Sequence, residues 1–448
     1  MRRTVAALIL AALAGWPGTG RAAGAELTLV RALELARTGP AVEEASALVD
    51  RAATLEAQVR SARRPHLDAT IDDRFLGSDP GFIVPRGAFG NPVDLPLVAG
   101  ERNVWTASVE LRQLIWDAGR THALLEAAGE ATAAAEARRR AVLRAVDLAT
   151  LTAYREAAVA AELLGVADAS IREYRALLDQ VTALVEEEQL PLADELQARA
   201  ALEAARLDRI RVQARLDGAL AALEELTGEP VASVAPLPAV PPEEAGDAVA
   251  RAVASRPELE ALTRQAAALR ARAEAARAER RPVLGGRAAI QHREDDYLLH
   301  KDNALVAVGL TLPVLDGGLA VARAAALEAE AREAEAGRSR LERQVRREVR
   351  QAAIRLRAAE AAVEAAGASR DAATEALRQA RLRYREELIT NRELLDAEAD
   401  AVRARQALVR ARTEAAAARL ALENLAGGDL LAQLGGSGGE REGQRHDG

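Results

Sequence analysis

The sequence contains no cysteine in 448 residues, and only 2% of its residues are aromatic. The missing cysteine excludes disulfides, thiolate metal sites, a cysteine nucleophile and a lipid anchor on an N-terminal cysteine. The shortage of aromatic rings, beside an abundance of Ala, Arg, Glu and Leu, argues against a conventional compact core. This composition favours long helices that pack through small side chains.

Long hydrophobic runs are also missing beyond the N-terminus. There, Arg2 and Arg3 precede an apolar run over residues 5–16, and small residues follow at 23–25. This pattern predicts a signal peptide over residues 1–25. The alternative is a membrane anchor, but the run is shorter than the roughly 20 apolar residues of a spanning helix. No later segment reaches that length, so any membrane crossing would have to use strands.

The sequence has no block of one charge. Its net charge of -8 comes from 60 basic and 68 acidic residues that are mixed along the chain. Nothing therefore suits a nucleic-acid backbone, and nucleic acid is not an expected partner. The 5 histidines are scattered without paired metal spacing, and no glycine-rich phosphate loop follows a strand. We therefore expect no enzyme, no cofactor and no metal site.

The chain after the signal peptide repeats its landmarks in two halves. An Arg-Arg-Pro triplet at 63–65 recurs at 280–282, and each triplet introduces a strand-like stretch. We predict a first repeat over 26–227, a proline-rich connector over 228–256, a second repeat over 257–430 and a disordered glycine-rich tail over 431–448.

Each predicted repeat contains a long helix pair, over 120–227 and 319–426. The first helix of each pair runs for about 68 residues without an interior proline, which corresponds to roughly 100 Å. Apolar residues recur at steps of four and three, as in Leu341, Val345 and Val349, and this spacing is typical of a coiled-coil seam.

Four segments instead alternate between apolar and polar residues with period two. They cover about 67–77, 103–116, 283–293 and 304–314, a length that spans a bilayer as a tilted strand. Most of the aromatic residues lie in or beside these segments, as interfacial girdles require. Half-buried strands of a soluble domain would show the same alternation.

Four strands cannot close a membrane barrel, and an open edge in lipid leaves backbone groups unpaired. Two copies would supply eight strands, and side chains fill the lumen of an eight-stranded barrel. Three copies supply twelve strands and leave a channel. We therefore expect a homotrimer. The strands would pass into the helices through turns where Asp caps and Gly permits the sharp exit, at Asp117, Gly119, Asp316, Gly317 and Gly318.

Three phrases of the sequence are distinctive: LRQLIWDAGR at 111–120, LTLPVLDGGL at 310–319, and YREELITNRELLDAEA from Tyr384 before a helix that ends LENLAG. Together with the repeat, they resemble the TolC outer-membrane efflux family over residues 27–430. The resemblance implies a mainly α fold with a transmembrane β-barrel: a trimer with four strands per chain, a 12-stranded barrel and a coiled-coil α-helical tunnel in the periplasm.

The same resemblance implies an exit duct in the cell outer membrane. Such a duct serves a tripartite efflux pump or a type I secretion system and docks to a periplasmic adaptor and an inner-membrane transporter. It passes small molecules, ions or polypeptides. A periplasmic coiled-coil adaptor or structural rod is the alternative, but it has no need of four bilayer-length alternating segments.

The resemblance also assigns residues to the tunnel tips. Glu393 and Asp396 fall on an acidic pair that narrows the periplasmic entrance, where three copies would repel one another and attract cations. The alternative is a solvated helix face. The remaining tip and adaptor-contact residues include Glu387 in place of a Gly and Ile389 in place of a closing Arg, and together they are Tyr384, Glu387, Leu388, Ile389 and Thr390, with Gln189, Leu190 and Pro191 in the first half.

Overall fold

The computed structural model describes residues 26–78, 80–238, 248–296, 298–432 and 434. The predicted signal peptide lies outside the described residues. The helices are α1 (Leu29–Ala36), α2 (Pro40–Ser61), α3 (Arg120–Glu186), α4 (Leu192–Thr227), α5 (Ala248–Ser255), α6 (Pro257–Ala278), α7 (Leu319–Arg385) and α8 (Asn391–Ala426); the strands are β1 (His66–Phe75), β2 (Gly81–Val84), β3 (Leu95–Val98), β4 (Asn103–Trp116), β5 (Val283–Glu294) and β6 (Asp302–Thr311).

The elements repeat along the chain with two different shifts. Helix α3 begins at residue 120 and α7 at 319, a shift of 199, and both contain 67 residues. Helix α2 begins at residue 40 and α6 at 257, a shift of 217, and both contain 22 residues. The difference of 18 residues arises between β1 and β4, where the first repeat carries the β2–β3 hairpin.

The described part of the chain divides into two compact units, and the first comprises the described residues within 1–43, 142–256 and 344–448. Its core is centred on Tyr154, which is fully buried among leucines and alanines of α1, α3, α4 and α8. The Tyr154 hydroxyl lies 2.8 Å from the Leu27 carbonyl oxygen and 2.7 Å from that of Ala235. Burial raises the pKa of this hydroxyl, so it keeps its single proton, which the two carbonyl oxygens share or accept in turn.

The second unit comprises residues 44–141 and 257–343. Its four-stranded sheet is antiparallel throughout, in the order β1-β4-β5-β6. Helix α6 is alanine-rich and buries eleven of its 22 residues. Ion pairs join α6 to α3 on one side and to α7 on the other, and Glu279 contacts both Arg120 (3.3 Å) and Arg323 (3.0 Å).

No described helix is both long enough and apolar enough to serve as a transmembrane span.

Three predicted segments differ from the structure. The connector contains helix α5, while residues 239–247 lie outside the described residues. Within the predicted tail, Leu434 is buried in the core around Tyr154 because it packs with the neighbouring Leu430; residues 433 and 435–448 are outside the described residues. Strand β6 ends at Thr311 rather than at 314, since Pro313 cannot donate to a strand ladder.

Candidate functional site

The two helix–helix turns have the same backbone geometry. Glu188 and Glu387 are both left-handed, with φ of 59°, at positions 199 residues apart. The next residue in each turn donates its N–H to a carbonyl five positions earlier: Gln189 to Leu184 at 2.8 Å and Leu388 to Arg383 at 2.9 Å. This is the hydrogen bond of a Schellman helix end, where Gly is the usual left-handed residue.

Helix α8 starts with a capping box. The Thr390 hydroxyl accepts from the Glu393 N–H at 3.3 Å, and the Glu393 carboxylate accepts from the Thr390 N–H at 2.8 Å. These hydrogen bonds lower the pKa of Glu393 and keep it ionised. Helix α4 lacks this device, because Pro191 occupies its N-cap and makes no side-chain cap bond.

An apolar cluster brings the two turns together. Its buried members come from α3, α4, α7 and α8, and Leu190, Tyr384 and Ile389 pack against them. The Asn391 side chain donates to the Asp194 carbonyl oxygen at 3.1 Å and joins α8 to α4. The buried side chains are Leu177, Val181, Ala198, Leu377, Leu394 and Ala401.

The predicted tip residues therefore fall into two groups. Leu190, Tyr384 and Ile389 are packed inward, and the Tyr384 hydroxyl has no hydrogen-bond partner among the described residues. Burial raises the pKa of Tyr384. The exposed group comprises Gln189, Pro191, Glu387, Leu388, Thr390, Glu393 and Asp396.

A charged cluster that the sequence analysis missed lies among α3, α7 and α8. Glu398 is 4% exposed and bonds to Arg381 (2.6 Å), while Glu173 bonds to Arg405 (2.9 Å). Burial raises the pKa of Glu398. Spacing could have revealed it, because Glu398 and Arg405 occupy the seam positions that continue from Leu394 in steps of four, three and four.

The strand-to-helix turns place their predicted residues at helix starts. Asp117 accepts from the Thr121 N–H at 2.7 Å, and Asp316 accepts from the Ala320 N–H at 3.1 Å. The bonds from Ala320 and Gly318 lower the pKa of Asp316. Gly119, Gly317 and Gly318 all have positive φ, and Ala118 does as well. In both turns, Asp caps the helix and left-handed residues turn the chain.

The register of the sheet separates an apolar face from a polar one. The row Leu67, Leu111, Ala288 and Val306 crosses all four strands on one face. A register shift between Leu114 and Trp116 pairs Trp116 with Leu284 and adds it to that face. Exposed apolar side chains on the face include Ile71 (71%), Phe75 (76%), Val306 (83%) and Val308 (67%).

The opposite face is polar. A row of Thr70, Ser108, Gln291 and Asn303 crosses it. Beside this row, Glu110 bonds to Arg287 and to Arg112, both at 2.7 Å. Such a sheet can separate hydrocarbon from water, because each side meets side chains of matching polarity.

Comparisons with known proteins agree with this geometry. A family model for the outer membrane efflux protein matches residues 33–229 and 248–428. No curated protein matches the sequence.

Solved structures match the fold at low sequence identity. CusC superposes with a TM-score of 0.75 at 18% identity, covering 90% of this chain and 92% of that one. VceC from Vibrio cholerae gives 0.74 at 21% identity, covering 90% and 96%. The MtrE outer membrane channel of Neisseria gonorrhoeae in its open state gives 0.73 at 19%, covering 90% and 89%. With its fold matched to these proteins and most of its length matched to one family model, the chain belongs to the outer membrane efflux protein family.

Proposed function

We propose that three copies of this chain form the outer-membrane exit duct of a tripartite efflux pump or a type I secretion system. The observation that carries this proposal is the four-stranded sheet, with one apolar and one polar face over its full width. In a membrane, the apolar face would contact lipid and the polar face would line a lumen.

The sheet edges support assembly from identical copies. Within the part of the chain that the structure describes, β1 and β6 each have one neighbouring strand. Because strand directions alternate across the sheet, β6 of one copy is antiparallel to β1 of the next. Twelve strands then close without an exposed edge, which is what hydrocarbon requires.

One helix of the single chain also lacks a packing partner. Helix α6 packs between α3 and α7 of its own chain, whereas its repeat counterpart α2 leaves Leu48 (50%) and Leu55 (48%) exposed. A neighbouring copy would supply the missing second partner of α2. This supports a ring of three chains rather than two, because side chains would fill the narrow lumen of a two-chain barrel.

The helix–helix turns would form the periplasmic entrance and the adaptor contact. Three copies of Glu393 and Asp396 would ring the opening and favour cations. The exposed Glu387 and Leu388, with Gln189 and Pro191 of the first turn, would meet a periplasmic adaptor. The duct would be a passive conduit that catalyses no reaction, with cargo selected by the inner-membrane transporter.

Conductance through planar bilayers tests the duct and its acidic entrance. Detergent-purified protein should be trimeric and should insert channels that prefer cations. Asp396→Asn should lower the cation preference without changing the trimer, because it removes three charges from the entrance. Glu203→Gln, an exposed carboxylate in mid-α4, is the control and should leave selectivity unchanged. A monomer without channel activity would contradict the proposal.

A further inference from the structure

The β2–β3 hairpin exposes more apolar surface than a soluble loop would normally carry. Residues 81–99 contain only two charged side chains, Arg86 and Asp94. Seven large apolar side chains in this segment are exposed. Clustered exposed apolar groups of this kind mark an interaction surface. They are Phe82 (58%), Ile83 (67%), Phe89 (88%), Val93 (58%), Leu95 (41%), Leu97 (46%) and Val98 (47%).

The hairpin is ordered although these side chains are exposed. Asn91 donates from its amide to the carbonyl oxygens of Pro85 (3.1 Å) and Val93 (2.7 Å). Asp94 accepts from the Arg86 N–H at 2.7 Å. The loop is therefore organised by its own polar groups, and it presents the apolar side chains on a stable framework.

One side of the hairpin base already meets a β5–β6 turn. The Asp296 N–H donates to the Glu101 carboxylate at 3.4 Å. A Cβ at Gly100 would lie 3.5 Å from the Asp295 carboxylate. These contacts are on the β4 side, because β5 follows β4 in the sheet. The β1 side of the hairpin has no such turn beside it among the described residues.

The proposed barrel would place a second β5–β6 turn on that β1 side. There, β6 of the next copy pairs with β1, and the residues just before β6 reach the end where β1 passes into the hairpin. This turn exposes Leu299 (91%) and Leu298 (39%). Two apolar surfaces would then meet at one end of the same strand pair.

We infer that the β2–β3 hairpin docks on Leu298 and Leu299 of the adjacent copy and locks neighbouring subunits together at the barrel end away from the helices. This inference rests on the proposed trimeric duct. The occupant is a second copy of this chain, because the strand edges that place it are complementary. The added hairpin of the first repeat would thus be an intersubunit clasp.

Cysteine crosslinking tests the clasp without background, since the chain has no cysteine. Phe82→Cys and Ile83→Cys, on opposite faces of β2, are each combined with Leu299→Cys in the full chain. After oxidation in detergent, one of the two pairs should give covalent dimers and trimers, because a disulfide needs Cα atoms within about 7 Å. Thr70→Cys with Leu299→Cys should give none, because Thr70 lies in the middle of the edge strand β1, away from its hairpin end.

Three other crosslinking results would refute the clasp. Failure of both pairs in a protein that is still trimeric would refute the contact and leave the proposed duct standing. Crosslinks within one chain would refute it equally, and so would Phe82→Cys dimers without Leu299→Cys, which would mean that hairpins meet one another. As a second measurement, Leu299→Asp should lower the temperature at which the trimer dissociates, and an unchanged value would favour lipid as the occupant. A wild-type monomer would instead refute the duct.

Discussion

At the residue scale, the two helix–helix turns at Glu188 and Glu387 carry backbone strain. A left-handed conformation costs an L-residue roughly 1–2 kcal/mol relative to Gly, and the structure places Glu188 and Glu387 in it at equivalent turns. Neither carboxylate is buried. Within one chain, no buried contact of these side chains compensates for the strain. An adaptor contact would be one use for these two side chains.

Glycine at either position should stabilise the protein. Glu188→Gly or Glu387→Gly should each contribute about 0.5–1 kcal/mol, the relief of strain less the greater unfolded-state entropy of Gly. Thermal unfolding in detergent measures the change. Glu186→Gly, two positions earlier in helical backbone, is the matched control and should destabilise by about 0.5–1 kcal/mol. Equal effects of the two changes would refute the strain.

The capping box makes the start of α8 sensitive to acid. Because the folded-state pKa of Glu393 is lowered, its contribution is present above the ordinary glutamate pKa and is lost as the pH falls through the lowered value. Thr390→Ala should cost about 1 kcal/mol at neutral pH, and Thr390→Ser should cost little. Thr390→Ala also removes the hydrogen bond that the Thr390 hydroxyl donates to the Glu393 carboxylate at 3.0 Å. Melting curves from pH 7 to pH 3 should therefore show part of the Thr390→Ala deficit disappearing as Glu393 is protonated; a constant deficit would argue against this bond.

At the element scale, the long helices are joined by charges inside an otherwise apolar seam. Glu398 lies between Leu394 and Ala401 on the seam and is nearly as buried as they are. Its partner Arg381 comes from α7, so this ion pair helps to connect the two helices of the second repeat. A buried carboxylate is tolerated only while its partner is present.

Removing Arg381 should expose this dependence. Arg381→Met should destabilise by about 2 kcal/mol at pH 7.5, below the usual range for a buried pair because Arg381 is 43% exposed. The folded-state pKa of Glu398 is raised, so its protonated form stabilises the fold at low pH and that stability is lost as the pH rises. The deficit should therefore narrow at pH 5 in chemical denaturation. Arg381→Met with Glu398→Gln is the control and should restore stability at pH 7.5; a deficit independent of pH would refute the role of the charge.

At the scale of the whole molecule, the two faces of the sheet predict opposite tolerance of charge. Leu305 and Val306 are adjacent in β6, but Leu305 lies on the polar face in the row of Asp68 and Glu110, whereas Val306 lies on the apolar face. The two positions should differ in their tolerance of charge only if the assembly places lipid against one face.

A single arginine should therefore report which face meets lipid. Val306→Arg should cost about 2–4 kcal/mol per chain if it lies near the middle of the bilayer, and three copies multiply the penalty. Leu305→Arg should be tolerated because it lies on the polar face, in the row that also holds Asp68 and Glu110. The yield of assembled trimer in outer-membrane fractions, read on unheated gels, measures both. Equal yields would show that neither face contacts lipid.

The sequence by itself determined the elements whose signal is local. Helices α3 and α7 follow from coiled-coil spacing without proline, and β1, β4, β5 and β6 follow from period-two alternation, because both patterns report a helix or strand with one buried face. The β2–β3 hairpin was not predicted, because both of its faces are apolar and its sequence is interrupted by proline and glycine. Only the tertiary structure decided its place.

The same physical reason separates the residues that the sequence predicts for the tip from those that it does not reveal. A motif marks Tyr384, Glu393 and Asp396, but the burial of Glu398 and the left-handed backbone of Glu188 depend on helices that meet from distant parts of the chain. Sequence patterns record which side chains a helix offers to a partner. Which partner arrives, and at what register, is settled by packing between elements.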